Sequence, residues 1–208
     1  MHKPLFITGI GTGVGKTLVS AIITEYLQAD YWKPVQAGDL DCSDSNQVEL
    51  LLTNTKSYIH EERFKFKLAA SPHQAAAMEG VKMMPEDFQL PFTANRLVIE
   101  GAGGLMVPLN DTFLMVDLIQ RFRADVVLVV RDYLGCINHS LLSYELLCKR
   151  GMNIKAIVFS GTMNIASAEA IVQQLATDIP IVQVPDIRQI TKETIQQISS
   201  SFNHSLVI

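Results

Sequence analysis

Near the N-terminus the apolar run Leu5-Phe6-Ile7 leads through Thr8 into Gly9-Ile10-Gly11-Thr12-Gly13-Val14-Gly15-Lys16-Thr17, alternating glycines followed by Lys-Thr. That combination suits phosphate. Glycines let the backbone turn tightly enough to aim the N–H groups of Gly13, Val14, Gly15, Lys16 and Thr17 at one oxyanion. Lys16 adds a point charge near the terminal phosphates, and the Thr17 hydroxyl suits Mg²⁺. The helix expected from Thr17 to about Gln28 points its positive end at the same place. The strict pattern has a glycine, four residues, then Gly-Lys-Ser/Thr, and here the position five before Gly15 is Ile10. Gly9 stands one residue too early. A glycine-rich turn with a chance Gly-Lys-Thr is the plain alternative, and the strand before and amphipathic helix after argue against it.

Five further segments hold residues of the right types. In Trp32-Lys33-Pro34-Val35-Gln36-Ala37-Gly38 an ordinary surface lysine is the simplest reading. The apolar neighbours Trp32 and Val35, and an end at the same sheet edge as the glycine loop, instead let Lys33 approach a terminal phosphate as a second cation. Ser43-Asp44 reads equally as a helix cap and as a hydroxyl and carboxylate near a metal. Leu97-Val98-Ile99-Glu100-Gly101-Ala102-Gly103-Gly104 is harder to explain structurally, because an acid closing a buried strand costs desolvation unless it meets a cation. Glu100 is therefore the best acidic candidate for Mg²⁺. Pro108-Leu109-Asn110-Asp111-Thr112 reads as a polar turn before a helix, and Gly135-Cys136-Ile137-Asn138-His139 as a turn with Asn138 as cap, at a helix N-terminus able to receive a carboxylate. Nothing in the sequence activates Cys136 as a nucleophile.

The elements that must position these residues are short apolar runs alternating with helical periodicity. Leu5–Thr8, Tyr31–Val35, Leu97–Glu100, Val126–Val130, Ala156–Phe159 and Ile181–Val184 read as strands. Helices are expected near 17–28, 45–52, 73–79, 113–122, 138–149, 166–176 and 192–199. Strands apolar at nearly every position belong to a parallel sheet covered on both faces. The fold class is thus α/β, a single doubly wound domain over residues 1–208 with helices on both faces. Ligands in such sheets bind where the strands end.

Composition narrows the partners. The chain has 208 residues, 17 basic and 21 acidic, a formal charge of −4. No Lys/Arg block stands out, which disfavours nucleic acid. Cys42, Cys136 and Cys148 lack paired spacing, and the five histidines form no zinc pattern. A reducing cytoplasm suits that inventory. No apolar run approaches the ~18 residues of a membrane span and no secretory leader is visible.

Together the motifs resemble one family, dethiobiotin synthetase, over nearly the whole chain. The resemblance rests on Thr8-Gly9-x-x-Thr12-x-Val14-Gly15-Lys16-Thr17, extra loop residue included, with Lys33-Pro34-Val35, Ser43-Asp44 and Ser71-Pro72-His73. Glu100 to Gly104, Pro108-Leu109-x-Asp111-Thr112 and Gly135 to His139 complete it. The likeness implies ATP-dependent closure of a ureido ring from CO₂ and 7,8-diaminononanoate, through a carbamate and its mixed anhydride with phosphate. By the same likeness Lys16 and the loop amides hold ATP, and Thr17, Asp44 and Glu100 surround Mg²⁺. Lys33, Lys16 and Thr12 take catalytic positions, with Thr12, Lys33, Ala37 and Gly103 along the diamine. The family's Gly-Cys-Ile-Asn-His loop meets the substrate carboxylate from a second subunit. That implies a homodimer, with Gly135, Cys136, Ile137 and Asn138 as carboxylate contacts. Ser160 and Pro185 fall where the family contacts the base. Three departures stand out: Ala37 replaces a hydroxyl residue, Ser160 an asparagine and Gly11 an acid, which opens the base preference.

Two rivals remain. A dimeric partitioning or positioning ATPase would share the sheet order, but its loop carries a second lysine where this chain has Gly11. A cobyrinate-type amidating ligase needs a glutaminase half for which this chain has no room.

Overall fold

The computed structural model describes residues 2–202. Its strands in chain order are β1 (Leu5–Gly9), β2 (Asp30–Trp32), β3 (Val35–Ala37), β4 (Ile59–His60), β5 (Phe64–Phe66), β6 (Leu97–Gly104), β7 (Asp125–Val130), β8 (Ile154–Ser160) and β9 (Ile181–Val184). The helices are α1 (Lys16–Leu27), α2 (Asp44–Leu51), α3 (Pro72–Met78), α4 (Met115–Phe122), α5 (Cys136–Lys149), α6 (Ile165–Val172) and α7 (Lys192–Ser201). Seven strands form the main sheet in the order β4-β2-β6-β1-β7-β8-β9, every neighbouring pair parallel. Successive strand residues point to opposite faces, and Val126 through Val130 are all fully buried. Both faces are therefore covered, as the unbroken apolar runs require.

Helix α1 packs against α2 and α7, and α5 against α6. Val19, Ile22 and Ile23 of α1 are completely excluded from solvent among Phe6, Ile7 and Ile99. Each such side chain contributes about 1.5–3 kcal/mol of burial, and truncating Ile22 to alanine would cost about 2–5 kcal/mol. Left-handed Gln28 (φ 48°) ends α1, its N–H bonding back to Glu25 O.

The reading of Tyr31–Val35 as one strand is corrected. Strand β2 stops at Trp32 because it is an interior strand, between β4 and β6, and Pro34 has no N–H for the ladder. The chain bends at Lys33-Pro34, and β3 pairs instead with β5 in a separate two-stranded parallel sheet. Helix α4 starts at Met115 rather than Phe113, because an antiparallel bridge joins Pro108 to Leu114 and the Asp117 carboxylate accepts the Leu114 N–H at 2.9 Å. Helix α5 starts at Cys136 with Gly135 as its N-cap, so Asn138 lies within the first turn rather than capping it. Helix α6 ends at Val172, short of the expected Ala176, as the next N–H groups switch to tighter turns.

Strands added after β1 lie first on one side of it (β2, β4, β6) and, from β7 onward, on the other. The loop following β1 sits at that reversal. All parallel strands end at the same edge, so the residues after β1, β2 and β6 converge there.

Candidate active site

The additional loop residue has a structural use. Ile10 is buried, and its N–H donates to Val129 O at 3.1 Å, extending the pairing of β1 with β7 by one step before the loop departs. Beyond it the backbone turns through Gly13 (φ 73°) and Gly15 (φ 94°), the latter capping α1. A Cβ on Gly15 would be strained at that φ and would lie 2.4 Å from Ser160 Oγ. Val14 turns its side chain into the core, leaving only its backbone to the loop. Thr12 and Gly13 are exposed, and Lys16 curls back so that its Nζ donates to Gly11 O at 2.9 Å. Burial lowers the Lys16 ammonium to about 8; Glu100 opposes that shift, Lys33 adds to it and Asp44 opposes it.

Four side chains, from α1, α2, β6 and the bend after β2, meet beside the loop. Thr17 Oγ1 lies 3.0 Å from Asp44 Oδ1 and 2.9 Å from Glu100 Oε1. A hydroxyl has one proton to donate, so two carboxylates around it call for a cation. Lys33 Nζ supplies one, at 2.5 Å from Asp44 Oδ2 and 3.1 Å from Glu100 Oε1. Lys33 is buried by the same bend at Pro34 that ends β2, and Glu100 is only 1% exposed. Burial alone would lower the Lys33 ammonium, but Glu100 and Asp44 outweigh it and hold Lys33 above its ordinary value. Burial pushes Asp44 up, and the ion pair with Lys33 and the Thr17 contact bring it below the usual carboxylate range.

Each member is fixed from behind. Ser43 Oγ caps α2 by accepting the Asn46 N–H at 3.3 Å, setting Asp44 on the first turn, and Gln36 Oε1 accepts the Asp44 N–H at 3.4 Å. Cap and candidate ligand are therefore adjacent residues with separate tasks. The Tyr31 hydroxyl donates to Glu100 Oε2 at 2.8 Å. At the end of β6, Gly103 (φ 67°) passes close to Thr12: a Cβ there would lie 3.6 Å from Thr12 Oγ1 and 2.7 Å from Val107 Cγ2.

These residues line a cleft of about 640 Å³. Thr12, Lys16, Thr17, Lys33, Asp44 and Glu100 form its polar end, and Val35, Ala37, Ala69, Ala70, Pro72 and Val107 form an apolar wall. Gly13, Gly15 and Gly103 also face it. Gly135, Cys136, Ile137 and Asn138 do not. Cys136 is buried with Sγ 3.5 Å from Asp132 Oδ1, whereas Ile137 and Asn138 are exposed. Pro185 lines another crevice, with Asp186 and Ile187. Ser160 is fully buried behind Gly15, and its hydroxyl has no hydrogen-bond partner among the described residues.

Tyr31 and Gln36 were not anticipated from sequence. For Tyr31 a signal existed: a phenol in a three-residue buried strand needs a partner for its O–H. Among the described residues no group of three or more His, Cys, Asp and Glu side chains is placed to hold a metal. Thr17, Asp44 and Glu100 offer three hard oxygens, which fits Mg²⁺, an ion that takes one or two carboxylates and draws its other ligands from water and phosphate.

Residues 3–194 match the AAA domain family. The chain is 50% identical over 194 residues to an ATP-dependent dethiobiotin synthetase of Cytophaga hutchinsonii, covering 93% of each sequence. It is 41% identical over 204 residues to one of Rhodopseudomonas palustris, covering 98% of this chain and 97% of that one. Among solved structures, the septum site-determining protein MinD of Pyrococcus horikoshii, complexed with Mg-ADP, is similar at a TM-score of 0.62 and 11% identity, over 98% of this chain and 97% of that one. A ParA family ATPase of Chlorobium tepidum gives 0.53 and 12%, over 96% and 90%. At such identity these two share the fold and nothing finer. The curated relatives reach further, and they establish that this chain belongs to the ATP-dependent dethiobiotin synthetase family.

Proposed function

We propose that this chain uses MgATP and CO₂ to close the ureido ring of 7,8-diaminononanoate, releasing dethiobiotin, ADP and phosphate. The observation that supports this most is the position of Lys33: a buried cation beside Asp44 and Glu100, facing the phosphate loop at one end of a cleft with an apolar wall. A short alkyl chain bearing two amines suits that wall, and a carbamate grown on one amine would find Lys33 between itself and the terminal phosphate.

One amine nitrogen attacks CO₂ and loses a proton, giving the carbamate. A carbamate oxygen attacks the γ-phosphorus and ADP leaves. The second amine then attacks the carbonyl carbon of the mixed anhydride, and phosphate leaves as the ring closes. No covalent bond to the protein is needed. Catalysis is positioning and charge neutralisation, since carbamate and triphosphate repel each other. Lys16 and the amides from Gly13 to Thr17 bind the phosphates, Lys33 steadies carbamate and γ-phosphate together, and Thr12 lies beside the amines. Thr17, Asp44 and Glu100 would hold Mg²⁺, whose contribution when bound is to neutralise charge on the phosphate oxygens.

A second copy of the chain completes the site in this reading. Leu134, Ile137, Leu142 and Met106 expose apolar surface around the N-terminus of α5. Gly135, Ile137 and Asn138 would present N–H groups there to a substrate carboxylate bound in the partner's cleft, with the Cys136 N–H donating to Tyr133 O at 2.9 Å and holding the turn.

Pure protein incubated with diaminononanoate, bicarbonate and MgATP should form dethiobiotin and ADP in equal amounts. ADP release that ignores the diamine overturns the assignment. Parallel assays with ATP, CTP and GTP measure the base preference that Ser160 leaves open.

A further inference from the structure

Tyr31 takes no part in the reaction just described, yet its side chain is completely buried and makes one specific polar contact. Its hydroxyl donates to Glu100 Oε2 at 2.8 Å, while Glu100 Oε1 faces Thr17 at 2.9 Å and Lys33 at 3.1 Å. The two carboxylate oxygens are thus sorted, one toward the protein interior and one toward the cleft. Sheet register explains how. Strands β2 and β6 are parallel with Tyr31 opposite Val98 and Trp32 opposite Ile99. Side chains alternate, so Tyr31, Val98 and Glu100 share a face, and Glu100 lies one diagonal step beyond Tyr31. A diagonal neighbour is about 7–8 Å away, a gap that an aromatic side chain can span. A phenylalanine would fill the same space without offering a proton.

We infer that Tyr31 is a positioning residue for the metal: by occupying Glu100 Oε2 it fixes the carboxylate rotamer and leaves Oε1 alone to serve as a single-oxygen ligand to Mg²⁺ beside Thr17. The inference rests on the proposed role of Glu100 as a Mg²⁺ ligand. A carboxylate free to rotate presents either oxygen, or both, to the cation, and Mg²⁺ tolerates little departure from octahedral geometry. Partners behind a metal ligand are typically worth about 10–100-fold in metal affinity or activity. Tyr31 also supplies Glu100 Oε2 with a hydrogen bond in a site where an unpaired carboxylate oxygen is costly.

The test compares wild type, Tyr31→Phe, Glu100→Gln and the double variant by calorimetric titration with ADP, first in EDTA and then across a Mg²⁺ series. Phosphate-loop contacts are intact in Tyr31→Phe, so ADP affinity in EDTA should stay within about twofold. The Mg²⁺ concentration giving half of the metal-dependent gain in affinity should rise about tenfold or more, the lower end of the range for such partners. Glu100→Gln should abolish most of that gain, and adding Tyr31→Phe to it should change nothing further. A Tyr31→Phe protein with wild-type Mg²⁺ dependence overturns the inference while Glu100→Gln still shows the metal site. A Glu100→Gln protein with wild-type Mg²⁺ dependence overturns both, by removing the ligand on which Tyr31 would act. If Tyr31→Phe weakens ADP binding equally in EDTA and in Mg²⁺, Tyr31 supports the fold only and the inference fails. Should Tyr31→Phe fold poorly, the double variant, which leaves no charged carboxylate to satisfy, provides the comparison against Glu100→Gln alone.

Discussion

Replacing Lys33 with methionine keeps most of the buried stem and removes the cation that touches Asp44 at 2.5 Å and Glu100 at 3.1 Å. Without nucleotide or metal, two carboxylates then face one Thr17 hydroxyl in a site where Glu100 is 1% exposed. Breaking a buried ion pair by deleting one partner costs about 3–5 kcal/mol, or about 6–20 °C in melting temperature for a chain of this length. The pH dependence has a definite sign. Lys33 holds Asp44 below its ordinary carboxylate value, so the Asp44 contribution is present above the unfolded value of 3.8 and disappears as pH falls through the lowered native value. Lys33→Met removes that contribution, and the gap between the two melting curves should narrow as the pH approaches that range. MgADP brings a cation back to the same carboxylates and should raise the variant's melting temperature more than the wild type's. Turnover should fall about 10²–10³-fold, as when one donor to developing charge is lost, with ADP affinity in EDTA nearly unchanged. Differential scanning fluorimetry at several pH values, calorimetry and a dethiobiotin assay measure these quantities. Near-normal maximal rate with a raised KM for ATP would refute the reasoning, because Lys33 would then contribute only uniform binding to the nucleotide.

Other sites give sharp expectations. Gly15→Ala places a Cβ on a residue at φ 94° and 2.4 Å from Ser160 Oγ; ADP binding by calorimetry should be lost at protein concentrations that saturate wild type. Ser160→Ala removes a buried hydroxyl with no hydrogen-bond partner among the described residues, so stability should stay level or rise by about 1 kcal/mol, while a fall in ATP affinity would identify the hydroxyl as a nucleotide contact. Glu25 accepts hydrogen bonds from Thr53 and Asn54, from backbone and side chain of each. Burial opposes its ionisation, but those bonds hold Glu25 below its ordinary value of 4.5, so its stabilisation is present above pH 4.5 and lost as pH falls through the lowered value. Glu25→Gln should destabilise the protein by roughly 1.5–3 kcal/mol at neutral pH and flatten the acid limb of its stability curve, read by urea unfolding.

Much of the site is legible in the sequence. Gly15-Lys16-Thr17 after an apolar strand, an acid closing a buried strand at Glu100, and Lys33 beside a proline each carry a local physical reason to be there. The structure gathers these three, with Thr12, Thr17 and Asp44, at one cleft. The same local reasoning is ambiguous or silent elsewhere. Ser43-Asp44 reads as a cap or as a ligand pair from sequence, and only the packing of α2 beside α1 turns Asp44 toward Thr17. The resemblance alone sets Ser160 at a base-reading position, and the close approach of β8 to Gly15, which buries its side chain, is visible only in the fold.

What the sequence determined by itself was everything set by neighbours along the chain. That includes the parallel strands buried on both faces, from their apolar continuity, and the phosphate loop, from its glycines. The tertiary structure decided what depends on distant segments meeting. The bend at Pro34 ends β2 because β4 and β6 flank it on both sides, which no local pattern states. Two-residue and three-residue strands such as β4 and β5 are too short for periodicity to register and exist because partners pair with them. The sorting of the Glu100 oxygens, one to Tyr31 and one to the cleft, follows from the register of β2 against β6, a relation between residues 69 positions apart. Local chemistry chose the residue types, and strand register set the distances at which they act.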